Sequence, residues 1–301
     1  MSPGRHLCRG YTATTVPIAV IAFEFDPLAH LGDFTVRWQT LALALVVAVC
    51  LTATGVIARR HGLRADDLLF AVIGAAPGAV VGGRIGYLLL APDAFRAGPL
   101  SLFDPSVGGL ELGGAVLGGL GTAWVVATML GSPAARWADL ASVPLLVGIA
   151  AGKLAMALGG SGQGRPFDGQ WATAYLGSGP WVGLAASVPS HPAQVYEAIG
   201  TGLVAMLLLI ATALALFRAP DGSRLLAGLA GWFAVRALVS TTWRDPHVLG
   251  TIPAGGVLAI VAAAVAIGAV LAIRVWRPRQ TPVTNEPTAP SWPDPEQRPP
   301  Y

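Results

Sequence analysis

Two short polar stretches, GQGRPFD (162–168) and HPAQVYE (191–197), interrupt a chain that is otherwise almost continuously apolar. Their residue types suit proton transfer and anion binding. His191 can take up a proton near neutral pH. Glu197, and Glu111 further back in GGLELGG, are carboxylates able to act as bases if the fold brings them to a thiol or hydroxyl. Three cations complete the set: Arg84 in GGRIGY, Lys153 in AGKLAMAL and Arg236 in FAVRALVS, each inside an apolar run. A charge there is costly near a bilayer centre unless it is paired or hydrated. The phosphate of an anionic lipid would satisfy it, because Arg grips phosphate with a bidentate fork and Lys with a point charge. Snorkelling from a span end is the plainer reading for Arg84 and Lys153, and less so for Arg236.

His191 stands before Pro192, which biases the histidine to an extended backbone and lets the proline open a helix. Gln194, Tyr196 and Glu197 then fall in about the first turn. Because Gln194 and Glu197 are three apart and His191 just precedes them, all three are expected to face one cavity. At a helix N-terminus Glu197 also has a capping and dipole reading.

The elements that must position these groups are membrane-length helices. Of 301 residues, 54% are hydrophobic and only 12% charged, and the mean hydropathy is +0.62. That is too few charges to clothe a soluble globule of this size. Apolar runs near 40–58, 68–90, 109–131, 139–159, 193–217, 224–243 and 252–275 predict an all-α polytopic protein with about seven transmembrane helices around a lipid-accessible cavity. The third, fourth and sixth runs are the least uniform, as suits helices buried in a bundle. Glycines crowd the second and third runs at small-xxx-small spacing, which permits close helix contact.

Residues 1–39 read as a lead-in outside the membrane; its apolar stretch 16–25 is too short to span and lacks a signal-peptide cleavage pattern. Residues 40–275 form the helical domain, with an outer loop at 161–192 that is long enough to expect function. Residues 276–301, rich in proline and polar groups, read as a disordered tail. Arg59, Arg60, Arg64, Arg136, Arg218, Arg224, Arg274, Arg277 and Arg279 fall on one side, whereas the connections between spans on the other side hold only Arg96, Arg165 and Arg244. The positive-inside bias then puts the N-terminus and both polar stretches outside and the C-terminus in the cytoplasm. Cys8 and Cys50 form neither a disulfide framework nor a metal site. No metal, cofactor or nucleic-acid partner is expected.

In order along nearly the whole chain, these pieces resemble the prolipoprotein diacylglyceryl transferase family, bacterial membrane enzymes that move a diacylglyceryl group from phosphatidylglycerol to a lipobox cysteine. RWQTL (37–41) resembles the family's RWYGL, and GGRIGYLLL (82–90), with Arg84 and Tyr87, its G-AR-x-x-Y element. GGLELGGAVLGG (108–119) matches GGLSxHGxxxGG, and GKLAMALGGSGQGRPFD (152–168), with Gly164 and Arg165, matches the GRxGNFxNxExxGRPTD signature without a gap. HPAQVYEA (191–198) matches HPSQLYEA, and Arg236 with WRDP (243–246) resembles R-x-x-x-E-x-x-R-x-P. The resemblance implies a plasma-membrane enzyme whose partners are phosphatidylglycerol or a related anionic phospholipid and a lipobox-containing prolipoprotein.

Six of the positions that the resemblance implies are functional differ in this chain. Gln39 stands for a tyrosine, Gly113 for a histidine, Lys153 for an arginine, Met156 for an asparagine, and Ser161 and Ser240 for acidic residues. A lipobox thiol must become thiolate before it can displace phosphate from the glyceryl carbon. With Gly113 unable to help, Glu111, His191 and Glu197 are the candidate bases, while Lys153 and Arg236 would neutralise the phosphoglycerol leaving group. The alternative is a catalytically silent relative that binds phospholipid or prolipoprotein without transfer. A channel or transporter is disfavoured, because the intramembrane cations have the wrong sign for a cation path and no internal repeat is visible.

Overall fold

The computed structural model describes residues 20–95, 104, 109–183, 185–217 and 219–276. The expected polar tail, apart from Trp276, lies outside the described residues, as do Cys8, Arg96, Arg218, Arg277 and Arg279.

Seven helices follow the expected runs closely: α1 (Trp38–Arg60), α2 (Ala65–Leu90), α3 (Leu112–Met129), α4 (Ala134–Ala157), α5 (Ala193–Ala213), α6 (Ser223–Ser240) and α7 (Ala254–Trp276). Among the described residues six helices are long and apolar enough to cross a membrane, which makes this a multi-span membrane protein; α6 is the helix of the seven that is not. The reason lies in its surroundings. Helix α6 packs against α4, α5 and α7, and its Leu225, Leu229, Trp232 and Phe233 form the core with Leu146, Leu208 and Ala259. A helix that faces protein needs no apolar exterior, so it can carry Arg236 and two glycines, Gly228 and Gly231. The lipid-facing helices show the reverse, with large apolar side chains such as Leu45, Val49, Val261 and Val265 exposed.

Helices α2 and α3 form the most extensive helix pair. A Cβ on Gly118 would sit 2.2 Å from the Gly78 carbonyl oxygen, and one on Gly82 would sit 2.2 Å from that of Gly114. Backbone cannot yield as a side chain can, so these glycines set the helix separation. Gly118→Ala is expected to destabilise the protein by about 1–3 kcal/mol. Gly121→Ala, whose Cβ meets nothing within 4 Å, should leave the thermal midpoint in detergent unchanged or slightly raised. Equal midpoints for the two variants would show that the pair is not backbone-limited.

At one end of the bundle the segment joining α4 to α5 meets both an N-terminal strand and the segment joining α6 to α7. Three two-stranded sheets add a small β component to the predicted all-α architecture. Strand β1 (Val20–Phe23) pairs in parallel with β4 (Ala172–Tyr175); β2 (Leu28–Leu31) pairs antiparallel with β3 (Phe34–Arg37), and β5 (His247–Leu249) with β6 (Ile252–Pro253). The described part of the N-terminal apolar stretch is thus a strand docked on the long loop. Strand β4 is buried throughout. The apolar ring of Tyr175 stacks on Phe23 with centroids 4.8 Å apart, and burial pushes its phenol up to about 12.

Candidate functional site

A cavity of about 390 Å³ lies between α2, α3, α6 and α7. Ile85, Leu89, Leu117 and Leu258 give it an apolar wall, and glycines of α2 and α3 thin that wall. Among its lining residues only Glu111 and Arg236 are polar.

Arg236 stands at the centre of a buried chain of four charges. Its Nη2 donates to Glu111 Oε1 at 2.7 Å and its Nη1 to Glu197 Oε1 at 3.0 Å. Glu197 is met on its other oxygen by Lys153 Nζ at 2.8 Å, and the Trp232 indole N–H reaches its Oε1 at 3.4 Å. The Trp243 ring covers the Arg236 guanidinium 4.7 Å away. Trp232 and Phe233 precede Arg236 on α6 by four and three residues, so a helical-face reading of the sequence would have joined each to it, whereas Trp243 comes in from beyond the end of the helix. Two cations and two carboxylates cancel, which lets such a cluster exist away from water.

Glu111 has a second task at the N-cap of α3, where its carboxylate accepts the backbone N–H groups of Gly113 and Gly114. It fits because two neighbours are glycine. A Cβ on Gly86 would lie 2.9 Å from Glu111 Oε2, and a Cβ on Gly113 would lie 3.1 and 3.2 Å from its two oxygens and 3.0 Å from Phe233. The Glu111 carboxylate therefore borders the space that a larger residue at position 113 would enter.

His191 belongs to a second cluster. Its ring stacks on Phe167 with centroids 4.0 Å apart, and its Nδ1 lies 3.3 Å from the Tyr196 hydroxyl, which accepts the Trp171 indole N–H at 2.7 Å. Desolvation, followed by the positive charge of Arg165, holds the imidazole below its ordinary value. The two clusters are joined by the GRP motif. Gly164 N donates to His191 O at 2.8 Å, His191 N to Arg165 O at 3.0 Å, and Arg165 N to Thr242 O at 2.8 Å, next to Trp243. A Cβ on Gly164 would sit 2.3 Å from the Thr242 carbonyl oxygen, so this crossing needs glycine. The Arg165 guanidinium donates to Thr241 O, and Arg244 closes the junction through Gly164 O at 2.6 Å and Ser190 Oγ at 2.9 Å.

The residues near the start of α5 therefore do not share one cavity, as their spacing had suggested. His191 turns to Phe167, and Gln194 donates to the Tyr175 hydroxyl at 3.2 Å. Glu197 points into the charge chain. Pro192 is the N-cap position, so the three residues leave the helix start in different directions. Arg84 is also apart: it is buried and donates to the Asp104 carbonyl oxygen at 2.7 Å. Tyr87 borders Gly109.

Gln39, Ser161 and Ser240 each have a local hydrogen-bond partner. Ser161 Oγ donates to Gln39 Oε1 at 2.9 Å, so two of them partner each other. Ser240 is fully buried, its Oγ donates to Ala237 O at 2.6 Å, and it packs on Gly256, where an added Cβ would lie 2.1 Å from that Oγ.

Comparison with known proteins gives one consistent result. A family model described as prolipoprotein diacylglyceryl transferase matches residues 27–273. The phosphatidylglycerol–prolipoprotein diacylglyceryl transferase of Polynucleobacter necessarius subsp. necessarius is 32% identical over 191 residues, covering 60% of this chain and 69% of that protein. The proteins of the same name from Methylococcus capsulatus and Methylocella silvestris are each 32% identical, over 193 and 203 residues, covering 61% and 63% of this chain and 70% and 71% of theirs.

Proposed function

Since the chain belongs to the prolipoprotein diacylglyceryl transferase family, we propose that it transfers a diacylglyceryl group from phosphatidylglycerol to the cysteine of a lipobox-containing prolipoprotein. The observation that carries this reading is Arg236, paired with Glu111, in the wall of a cavity whose other lining residues are apolar, a setting suited to an anionic headgroup beneath its acyl chains. Lys153 stands one carboxylate away and can share the phosphate charge if Glu197 yields. Arg84 would contribute from the α2 side.

In the reaction the cysteine sulfur forms a bond to the terminal glyceryl carbon while that carbon's bond to the phosphate oxygen breaks, and phosphoglycerol departs. The thiol proton needs an acceptor. Glu111 and Glu197 have their oxygens engaged by Arg236, Lys153 and backbone N–H groups. His191 keeps Nε2 without a hydrogen-bond partner among the described residues, which favours it as the base. Arg59, Arg60, Arg64, Arg136, Arg224 and Arg274 cluster at the bundle end opposite the site, which supports a bacterial plasma membrane topology with the site facing outward and the C-terminus cytoplasmic.

The direct test incubates the membrane-embedded protein with phosphatidylglycerol and a lipobox peptide and seeks the diacylglyceryl thioether by mass. The base assignment predicts that His191→Ala lowers turnover by roughly 10²-fold or more. The active form is the neutral imidazole, and its proton affinity is depressed. Activity is thus present at neutral pH and is lost as pH falls through a point below the ordinary imidazole value of about 6.5. An acid limb at or above that value, or full activity of the alanine variant, excludes His191.

A second reading is a silent relative that holds phospholipid without transfer. It is favoured by the mutual bonding of Gln39 and Ser161 and the tight packing of Ser240, which leave those positions structural. Bound phosphatidylglycerol with no thioether product would select it.

A further inference from the structure

We propose that a second pocket, at the end of the bundle opposite the cavity, binds a phosphate group, supplied by an anionic phospholipid headgroup or by phosphate free in solution. The pocket encloses about 200 Å³ among α4, α5, α6 and the α1–α2 turn. That is several times the roughly 30 Å³ share of a liquid water molecule. Its polar wall comprises His61, Arg136, Asp139, Thr212 and Arg224.

The acidic member does not neutralise the two arginines by direct pairing. Both oxygens of Asp139 are used at the start of α6, where they accept the backbone N–H groups of Gly222, Arg224 and Leu225 at 3.0, 3.0 and 3.3 Å. Among the described residues neither Arg136 nor Arg224 forms an ion pair. Arg136 is held in place by one bond, from Nη2 to the His61 carbonyl oxygen, which leaves the rest of its donor fork available. Arg224 Nε is buried and has no hydrogen-bond partner, an uncommon state for so strong a donor. A phosphate between the two guanidinium groups would supply the missing acceptor and use the bidentate geometry that arginine offers.

The setting attracts the same ligand. Arg59, Arg60 and Arg64 lie at this end of the bundle, and basic pockets between membrane helices are suited to anionic headgroups. The site is independent of the Arg236 cavity, because Arg224 and Arg236 are twelve residues, or about 18 Å of helix, apart. It does not rest on the transferase reading.

Native mass spectrometry of the full chain in detergent, titrated with phosphatidylglycerol, phosphatidylcholine or inorganic phosphate, tests it. Arg136→Gln with Arg224→Gln should retain one fewer phosphatidylglycerol than the parent, at an affinity lower by about 5-fold for each arginine removed. Phosphatidylcholine binding should be equal in both. If inorganic phosphate displaces the additional lipid, or binds the parent and not the variant, the ligand source is free phosphate; if it does neither while the lipid difference stands, the source is the headgroup. A measurement on the unaltered protein guards against misfolding of the variant: bound phosphatidylglycerol or phosphate should slow phenylglyoxal modification of Arg136 and Arg224. Equal ligand retention in parent and variant, or no protection of either arginine by either ligand, overturns the proposal.

Discussion

Arg236→Ala is expected to empty the cavity of phospholipid and to destabilise the protein by about 3–5 kcal/mol, the usual cost of breaking a buried ion pair by removing one partner. The expectation follows from what is left behind. Glu197 keeps Lys153 and the Trp232 indole, whereas Glu111 keeps only two backbone N–H groups at the edge of an apolar cavity. Trp243 also loses the guanidinium beneath its ring. Arg236→Lys should be intermediate, since a single ammonium cannot span two carboxylates that Arg reaches with separate nitrogens. Arg236→Met combined with Glu111→Gln removes both charges of one pair, and should recover most of the stability without recovering lipid. Unfolding midpoints and retained phosphatidylglycerol, measured on the same preparations, separate the two effects. Unchanged lipid retention by Arg236→Ala would mean that the headgroup lies elsewhere.

Gly113→His combined with Glu111→Ser is expected to rescue the His191→Ala variant, raising its rate of thioether formation by about 10²-fold or more, the contribution of a placed general base. The double change puts a histidine imidazole in the space beside the Arg236 cavity and removes the carboxylate that borders it. It is required as a pair because a side chain at 113 meets the Glu111 oxygens at 3.1 and 3.2 Å and Phe233 at 3.0 Å. Gly113→His alone should be crowded and gain less. Removing the Glu111 carboxylate also frees Arg236 Nη2 for lipid phosphate. Initial rates with a lipobox peptide decide the matter. A double change that leaves His191→Ala no faster would show that an imidazole at 113 does not serve as the base.

Much of the architecture was legible in the sequence because its cause is local. A run such as 252–275 is apolar at every turn, and α7 spans Ala254–Trp276. Helix α6 was legible only as a weaker run, because its exterior is other helices rather than lipid. The short strands were not legible: Val20–Phe23 becomes a strand because β4, some 150 positions later, offers it an edge, with Val20 opposite Ala172. Within the site, Arg236, Lys153, Glu197 and Glu111 stood out as charges in apolar surroundings. Their partners did not, since Glu111 and Arg236 are 125 positions apart.

By itself the sequence determined the family, the number and course of the helices, and which residues are too costly to bury without a reason. Those properties depend on composition, periodicity and motif order, which are written along the chain. Only the tertiary structure decided that the intramembrane cations Lys153 and Arg236 meet carboxylates, that His191, Gln194 and Glu197 diverge from one helix start, and that Glu111 crowds the space beside Gly113. The physical reason is that hydropathy fixes where a helix lies along the sequence, whereas the partner of a buried charge is whichever group packing brings within hydrogen-bond reach.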